Sequence, residues 1–97
     1  MIKSKKIRES ARGENCTLRL GICSSNETVV LCHIGRRRGM GIKCGDNFGI
    51  YCCAACHDVI DGRVKSQFTR DELDANKLRA LEETQEKLIE KGLLVLK

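Results

Sequence analysis

The sequence predicts a small α+β domain that is held together by its cysteines more than by a large apolar core. The chain has 97 residues and seven cysteines, but no Trp, one Tyr and two Phe. A chain of this length buries little surface by packing alone, and large rings usually supply much of a small core. Two short apolar segments, a helical segment and a long capped helix follow one another, which is an order typical of α+β domains.

The elements are expected in the following order. Residues 1–12 form a basic arm in which a short helix can form. Residues 28–34 (TVVLCHI) are β-branched and apolar, which favours a buried strand, and residues 48–52 can pair with it antiparallel. The connecting segment, residues 35–49, holds too many glycines for a helix. Residues 53–62 are helical in character up to the glycine that ends them.

The last third of the chain predicts one long helix. Thr69 and Glu72 have the spacing of a capping box, and Gly92 is suited to end the helix, which is expected over residues 70–91. Its apolar face is expected to consist of Ala75, Leu78, Leu81 and Leu88. We expect a single domain over residues 1–97, with residues 69–92 packed on the rest or pairing with a second copy in a homodimer.

The cysteine count indicates a reducing compartment. Seven is an odd number, so a fully paired disulfide framework is disfavoured. The N-terminus begins with basic residues and leads into charged ones, without the apolar segment of a secretory signal, and there is no apolar run of membrane-spanning length. We therefore expect a cytoplasmic protein that does not contact a membrane, in which clustered cysteines bind metal or take part in catalysis.

The stretch CAACH at residues 53–57 fits three kinds of site, and its two cysteines could also be buried core residues. As C-x-x-C-H it is the attachment motif of a c-type haem, but that motif belongs to exported proteins and needs a large apolar pocket. A thioredoxin-like redox pair would need a βαβ pattern, which is not found here. Half of a zinc site is therefore the favoured interpretation.

A second cysteine pair can complete that site. Two short turns that each supply two thiolates make a closed tetrahedral structural zinc site. The first pair, Cys16 and Cys23, has a six-residue spacer, which is less diagnostic of zinc than the C-x-x-C spacing of Cys53 and Cys56. Cys32 and Cys52 are expected to be small buried side chains, and Cys44 is the main competitor for a ligand position. The expected zinc ligands are Cys16, Cys23, Cys53 and Cys56.

Positive charge is concentrated in the first half of the chain. Residues 1–43 hold ten Lys and Arg against three acids (+7), whereas residues 44–97 hold eight against ten (−2). A solvated arm and a charged loop would explain either basic cluster alone, but two clusters around one cysteine-rich region favour a surface for the nucleic-acid backbone. The residues expected to bind it are Lys5, Lys6, Arg8, Arg12, Arg36, Arg37 and Arg38.

The residues between the cysteine pairs carry a resemblance. His33 ends the first strand, Asp46 and Asn47 precede the second, and His57 follows the last cysteine. This order resembles the HNH (His-Me finger) endonucleases, whose zinc-bound members hold a ββα-metal unit between two cysteine pairs. The similarity covers about residues 14–62. The run CHIGRRRGMGIKCGDNFGIYCCAACHD is also similar to small prophage-encoded nucleases of the YbcO type.

The resemblance implies a DNA endonuclease that uses Mg²⁺ or Mn²⁺ besides its structural zinc. In that family His33 would activate water, Asn47 would orient His33, and His57 would hold the catalytic cation. Cys32 stands where the family often has an aspartate ligand, so the carboxylate must come from elsewhere. The candidates for it are Asp46, Asp58 and Asp61.

An alternative is a zinc-binding module for nucleic acid or protein that has no catalytic activity. In that case His33 and His57 are structural, Asn47 is a turn residue, and Asp58 complements the positive end of a helix. The missing aspartate at position 32 is the sequence feature that favours it.

Overall fold

The structure, a computed structural model, describes residues 3–34 and 45–95. Part of the expected glycine-rich loop, residues 35–44 with Cys44 and the three consecutive arginines, lies outside the described residues. Before each strand lies a short 3₁₀ turn, Asn26–Thr28 and Asp46–Phe48, and the latter is called the Asp46 turn below. The regular elements are helix α1 (Lys5–Glu9), strand β1 (Val30–His33), strand β2 (Gly49–Cys52), helix α2 (Ala54–Ile60) and helix α3 (Arg70–Glu90).

The two strands form an antiparallel hairpin in which His33 lies opposite Gly49. A Cβ at Gly49 would lie 2.5 Å from the Leu31 side chain, so a larger residue at this position would force Leu31 to move. The outer edge of β2 is covered, because the Tyr51 carbonyl accepts from the Thr17 N–H at 2.8 Å and the Tyr51 N–H donates to Thr84 Oγ1 at 3.2 Å. The expected strands and the helix after them are confirmed, but β1 is only partly buried: Val30 is 48% exposed, and Cys32 is the one buried residue of this strand.

Helix α3 begins at the expected capping box, in which Thr69 and Glu72 bond each other's main-chain N–H groups. Its buried positions are Ala80, Thr84 and Leu88, spaced one turn apart. The expected apolar face is therefore wrong in part, since Leu78 is 61% exposed and Ala75 also lies at the surface. Small side chains at the contact let the helix approach β2 closely. Dimerisation through this helix stays a prediction.

Helix α1 is anchored to the hairpin and is not a free arm. Ser4 caps it by accepting from the Ile7 N–H, and Ile7 and Ala11 are buried. The Ser10 hydroxyl lies 2.7 Å from the Tyr51 hydroxyl, which joins the end of α1 to β2. The N-terminal segment therefore forms part of the core. Over the described ranges, no helix has the length and apolar character needed to span a membrane.

Candidate functional site

Four cysteine sulfurs meet at one point of the fold. The Sγ atoms of this group all lie within 4.8 Å of one another, and those of Cys23 and Cys56 are 3.7 Å apart. A tetrahedral zinc ion with Zn–S bonds of about 2.3 Å would separate its sulfurs by about 3.8 Å. The group is thus positioned to bind a metal ion, consistent with structural zinc. It consists of Cys16, Cys23, Cys53 and Cys56.

The chain must turn sharply to bring the first pair together across its six-residue spacer. Arg19 and Gly21 provide this turn with φ angles of 48° and 85°, both in the left-handed region. Arginine rarely adopts that conformation. Its guanidinium is held by two bonds to Glu83 of α3, at 2.6 and 2.7 Å, so α3 helps to shape this turn.

The surroundings of the sulfurs shift their pKa values in different directions. The pKa of Cys16 is lowered to about 3 by a hydrogen bond with the Cys52 side chain and by main-chain N–H groups, including that of Arg19. Burial has the opposite effect but is weaker. Burial raises the pKa of both Cys23 and Cys56. Since thiolates are the metal-binding form, a cation at the centre of the four sulfurs would stabilise their ionisation together.

Two other cysteines are buried, as expected. Cys32 is 3% exposed and Cys52 is 0% exposed. The Cys52 thiol donates to the main-chain oxygen of Cys53 at 3.4 Å, and its contacts with Cys16 and Cys32, together with burial, raise its pKa. Cys52 therefore packs against a member of the metal-binding group.

A second polar cluster surrounds His33 at the end of β1. Its Nε2 lies 2.7 Å from Oδ1 of Asp46, a carboxylate that is 4% exposed. The other oxygen, Oδ2, accepts from the Ser4 N–H at 2.6 Å and lies 3.5 Å from the Arg8 guanidinium. Although burial opposes ionisation, these groups lower the pKa of Asp46. An ionised carboxylate only accepts, so Nε2 carries a proton, and in the neutral ring Nδ1 has the lone pair.

The arrangement of the Asp46 turn differs from the sequence expectation. Asn47 was expected to orient His33 and Asp46 to ligate a cation, yet the carboxylate of Asp46 lies on the His33 ring and both its oxygens are engaged. Asn47 contributes its main-chain oxygen, which accepts from Gln85 Nε2 at 2.8 Å. Ser4 and Gln85 have no sequence motif that would have marked them as neighbours of this turn.

The remaining candidates lie on and just after α2. His57 Nε2 is 3.0 Å from Asp61 Oδ2, one helical turn on. Arg63 binds Asp58 at 3.1 Å and Asp61 at 3.4 Å, so its single positive charge offsets part of the negative charge of the two carboxylates. In residues 3–34 and 45–95, the four cysteines are the one group of three or more potential ligands that meet closely enough to hold an ion. His57 and Asp61 by themselves offer two donors.

The expected nucleic-acid contacts fall into three groups. Lys5, Lys6 and Arg12 are exposed on and just after α1, and Lys5 pairs only loosely with Glu9 at 3.8 Å. Arg8 is half exposed and lies against Asp46. The arginines at positions 36–38 lie outside the described residues. The structure therefore places at least part of the expected basic surface next to the His33 cluster.

These features define a small α+β protein with a four-cysteine cluster positioned to bind a metal ion and a partly exposed histidine held by a buried carboxylate. Residues 5–93 match the family model described as "Putative nuclease YbcO". The match covers most of the chain, so the chain belongs to this family.

Individual relatives agree with this assignment. "Putative nuclease YbcO" of Escherichia coli (strain K12) and "Putative nuclease ybcO" of Enterobacteria phage 82 are each 44% identical over 61 residues. The matched segment is 59% of this chain and 64% of each relative, so it spans less than two thirds of their length. A solved "putative bacteriophage protein from Escherichia coli str. K-12 substr. MG1655" superposes with a TM-score of 0.72 at 31% identity, covering 90% of this chain and 100% of that one.

Proposed function

We propose that this protein is a metal-dependent endonuclease of the HNH type that hydrolyses DNA phosphodiester bonds. A separate structural zinc is held by the four cysteines, and the origin is phage or prophage. Membership of the YbcO family supports the nuclease class. The observation that carries the proposal is the buried Asp46 carboxylate on the His33 ring, 2.7 Å from Nε2.

In this proposal His33 is the general base. Its Nδ1 takes a proton from water, which then attacks the phosphorus of the scissile phosphodiester bond. A neutral imidazole is suited to this step near neutral pH. Asp46 holds the ring in the tautomer with hydrogen on Nε2 and stabilises the imidazolium that forms, as a carboxylate does for histidine in hydrolytic triads. Asp46 thereby takes the orienting role that the resemblance assigned to Asn47.

In this proposal a catalytic divalent cation would be held by His57 and Asp61, with Asp58 as a further oxygen donor. Mg²⁺ usually binds one or two protein carboxylates and completes its coordination with substrate phosphate and water, so a partial set of protein ligands is adequate. When bound, such an ion supplies charge stabilisation for the phosphate and for the leaving 3′ oxygen. Cys32 is a poor replacement for aspartate, because Mg²⁺ prefers oxygen to sulfur.

The DNA backbone is proposed to lie along the basic side of α1. Lys5, Lys6 and Arg12 are exposed there, and α1 touches both β1 and the Asp46 turn. The cleft between residues 14–19 and α3 is a poor alternative. Its walls include Glu14, Glu83, Glu86 and Glu90, whose charge repels phosphate.

Plasmid cleavage in Mg²⁺ or Mn²⁺, with wild type run beside His33→Ala, tests the proposal. The variant should cleave roughly 10²–10⁴-fold more slowly, the usual scale for the loss of a general base. Because His33 is not among the four clustered cysteines, zinc content should be unchanged. If wild type cuts no DNA in any divalent ion, or if His33→Ala cuts as well as wild type, the nuclease proposal is wrong.

One observation favours a second function, a nucleic-acid-binding module without catalysis. Cys32 replaces the aspartate that often precedes the histidine, and Arg63 already pairs with Asp58 and Asp61. Such a module would bind DNA in the same salt-dependent way but would cleave none. The plasmid assay, combined with a binding measurement, separates the two functions.

A further inference from the structure

The Asp46 turn carries the carboxylate that contacts His33, so its position decides how the ring is held. Main-chain bonds fix most of this turn from within the hairpin. The Phe48 N–H donates to the Gly45 carbonyl at 3.0 Å, and the Ile34 N–H donates to the Phe48 carbonyl at 3.1 Å. The Gly49 N–H donates to the Asp46 carbonyl.

The carbonyl of Asn47 is not bonded within the turn. Its partner is Gln85 Nε2 at 2.8 Å, 38 residues later in the chain. Half-buried main-chain oxygens are normally paired, so this bond is the means by which the turn satisfies its remaining acceptor. Gln85 thus connects the turn to a helix that lies outside the HNH-like segment.

Helix α3 is itself firmly placed at this point. Thr84, the residue before Gln85, is fully buried and accepts from the Tyr51 N–H of β2 at 3.2 Å. Five residues before Thr84, Arg79 donates to the main-chain oxygens of Thr17 and Leu18, next to Cys16 of the cysteine cluster. The helix therefore offers a rigid reference to which Gln85 attaches the Asp46 turn.

We propose that Gln85 is a positioning residue for the His33–Asp46 pair. The catalytic consequence rests on the proposed nuclease function, whereas the positional claim does not. Without the Gln85 donor, the Asn47 carbonyl loses its partner and the turn shifts, which moves the Asp46 carboxylate relative to His33. Displacement of a general base by about 1 Å can cost on the order of 10²-fold in rate.

Gln85→Met is the test variant, because methionine has a similar length and no donor. Its kcat for plasmid cleavage should fall roughly 10–100-fold, with KM changed by less than about twofold, since the loss lies in the chemical step. Gln85→Lys keeps a donor and should recover most of the rate. Thr69→Ala is the matched control, because it removes the cap bond to the Glu72 N–H at the far end of the same helix and should lower Tm without lowering kcat.

A second measurement does not need activity. In NMR spectra of ¹⁵N-histidine-labelled protein, Gln85→Met should shift the His33 ring signals, whereas Thr69→Ala should leave them in place. If the wild-type protein proves inactive, the nuclease proposal is wrong, but the His33 signals still test whether Gln85 positions the His33–Asp46 pair. Unmoved His33 signals in Gln85→Met, or a kcat equal to that of wild type, would overturn the role of Gln85.

Discussion

Replacing Asp46 by asparagine changes the charge of one buried group and almost nothing of its shape. The carboxylate accepts from the Ser4 N–H at 2.6 Å and from His33 Nε2 at 2.7 Å. An amide has one accepting oxygen and one donating nitrogen, so it can accept from only one of these donors. If the nitrogen turns to His33, the ring must present a lone pair at Nε2, and its proton moves to Nδ1. That is the wrong tautomer for a base acting through Nδ1.

The expected losses follow from these contacts. A hydrogen bond to a charged group contributes about 1.5–3 kcal/mol, and the amide keeps part of the set, so we expect about 2 kcal/mol of destabilisation. For a domain of this size that corresponds to roughly 8–16 °C in Tm. The wrong histidine tautomer should lower kcat by roughly 10²–10⁴-fold. Circular dichroism melting and plasmid cleavage at saturating DNA measure the two effects.

The same substitution has a signature in the pH dependence of stability. The pKa of Asp46 is lower in the fold than in the unfolded chain, so its contribution is complete above the unfolded value, about 4, and is lost as pH falls through the folded value. Asp46→Asn should therefore flatten the acid side of the stability profile. Glu9→Gln, at an exposed pair with Lys5, should change neither profile nor rate. Wild-type kcat in Asp46→Asn would refute the orienting role.

Three further predictions concern the metal sites and the DNA surface. Cys53→Ser should lose zinc and unfold, because structural zinc supplies on the order of 10 kcal/mol of folding free energy. Cys32→Ala should cost only about 1 kcal/mol of packing. Metal analysis and thermal melting of the two variants measure both effects. His57→Ala should lose activity that excess Mg²⁺ or Mn²⁺ partly restores, and no response to added metal would argue against a ligand at this position. Changing Arg36–Arg38 to alanine should weaken DNA binding about equally for unrelated sequences and reduce its salt dependence, as measured by binding titrations at several salt concentrations. Unchanged affinity would show that these arginines are not part of the DNA-binding surface.

The elements of the fold could be predicted because their signals are local. The β-branched run before His33 and the T-x-x-E spacing at Thr69 act within a few residues, and both have the expected outcome. The cysteine group was also predictable, because thiols have few roles in a short cysteine-rich chain and a tetrahedral ion accepts ligands from two separate turns. The left-handed Arg19 that closes the first turn had no such signal.

The face that α3 turns to the core was decided by tertiary structure. Hydrophobicity alone favoured a stripe through Leu78, which is 61% exposed. The helix instead buries Thr84, because the Tyr51 N–H at the edge of β2 needs an acceptor and a threonine hydroxyl provides one at 3.2 Å. The spacing of apolar residues in a sequence does not show which main-chain group a polar side chain will contact in the folded protein.

The choice between Asp46 and Asn47 as the neighbour of His33 shows the same division within the candidate site. The order His, then Asp-Asn, then His can be read along the chain, and it placed these residues in one site. Adjacent residues in a tight turn point in different directions, however, and the direction depends on how the turn is rotated. The turn accepts hydrogen bonds from Ser4 and Gln85, which lie 42 residues before Asp46 and 38 residues after Asn47. Only folding brings those donors to the turn, so the sequence could not show which of the two side chains faces the histidine.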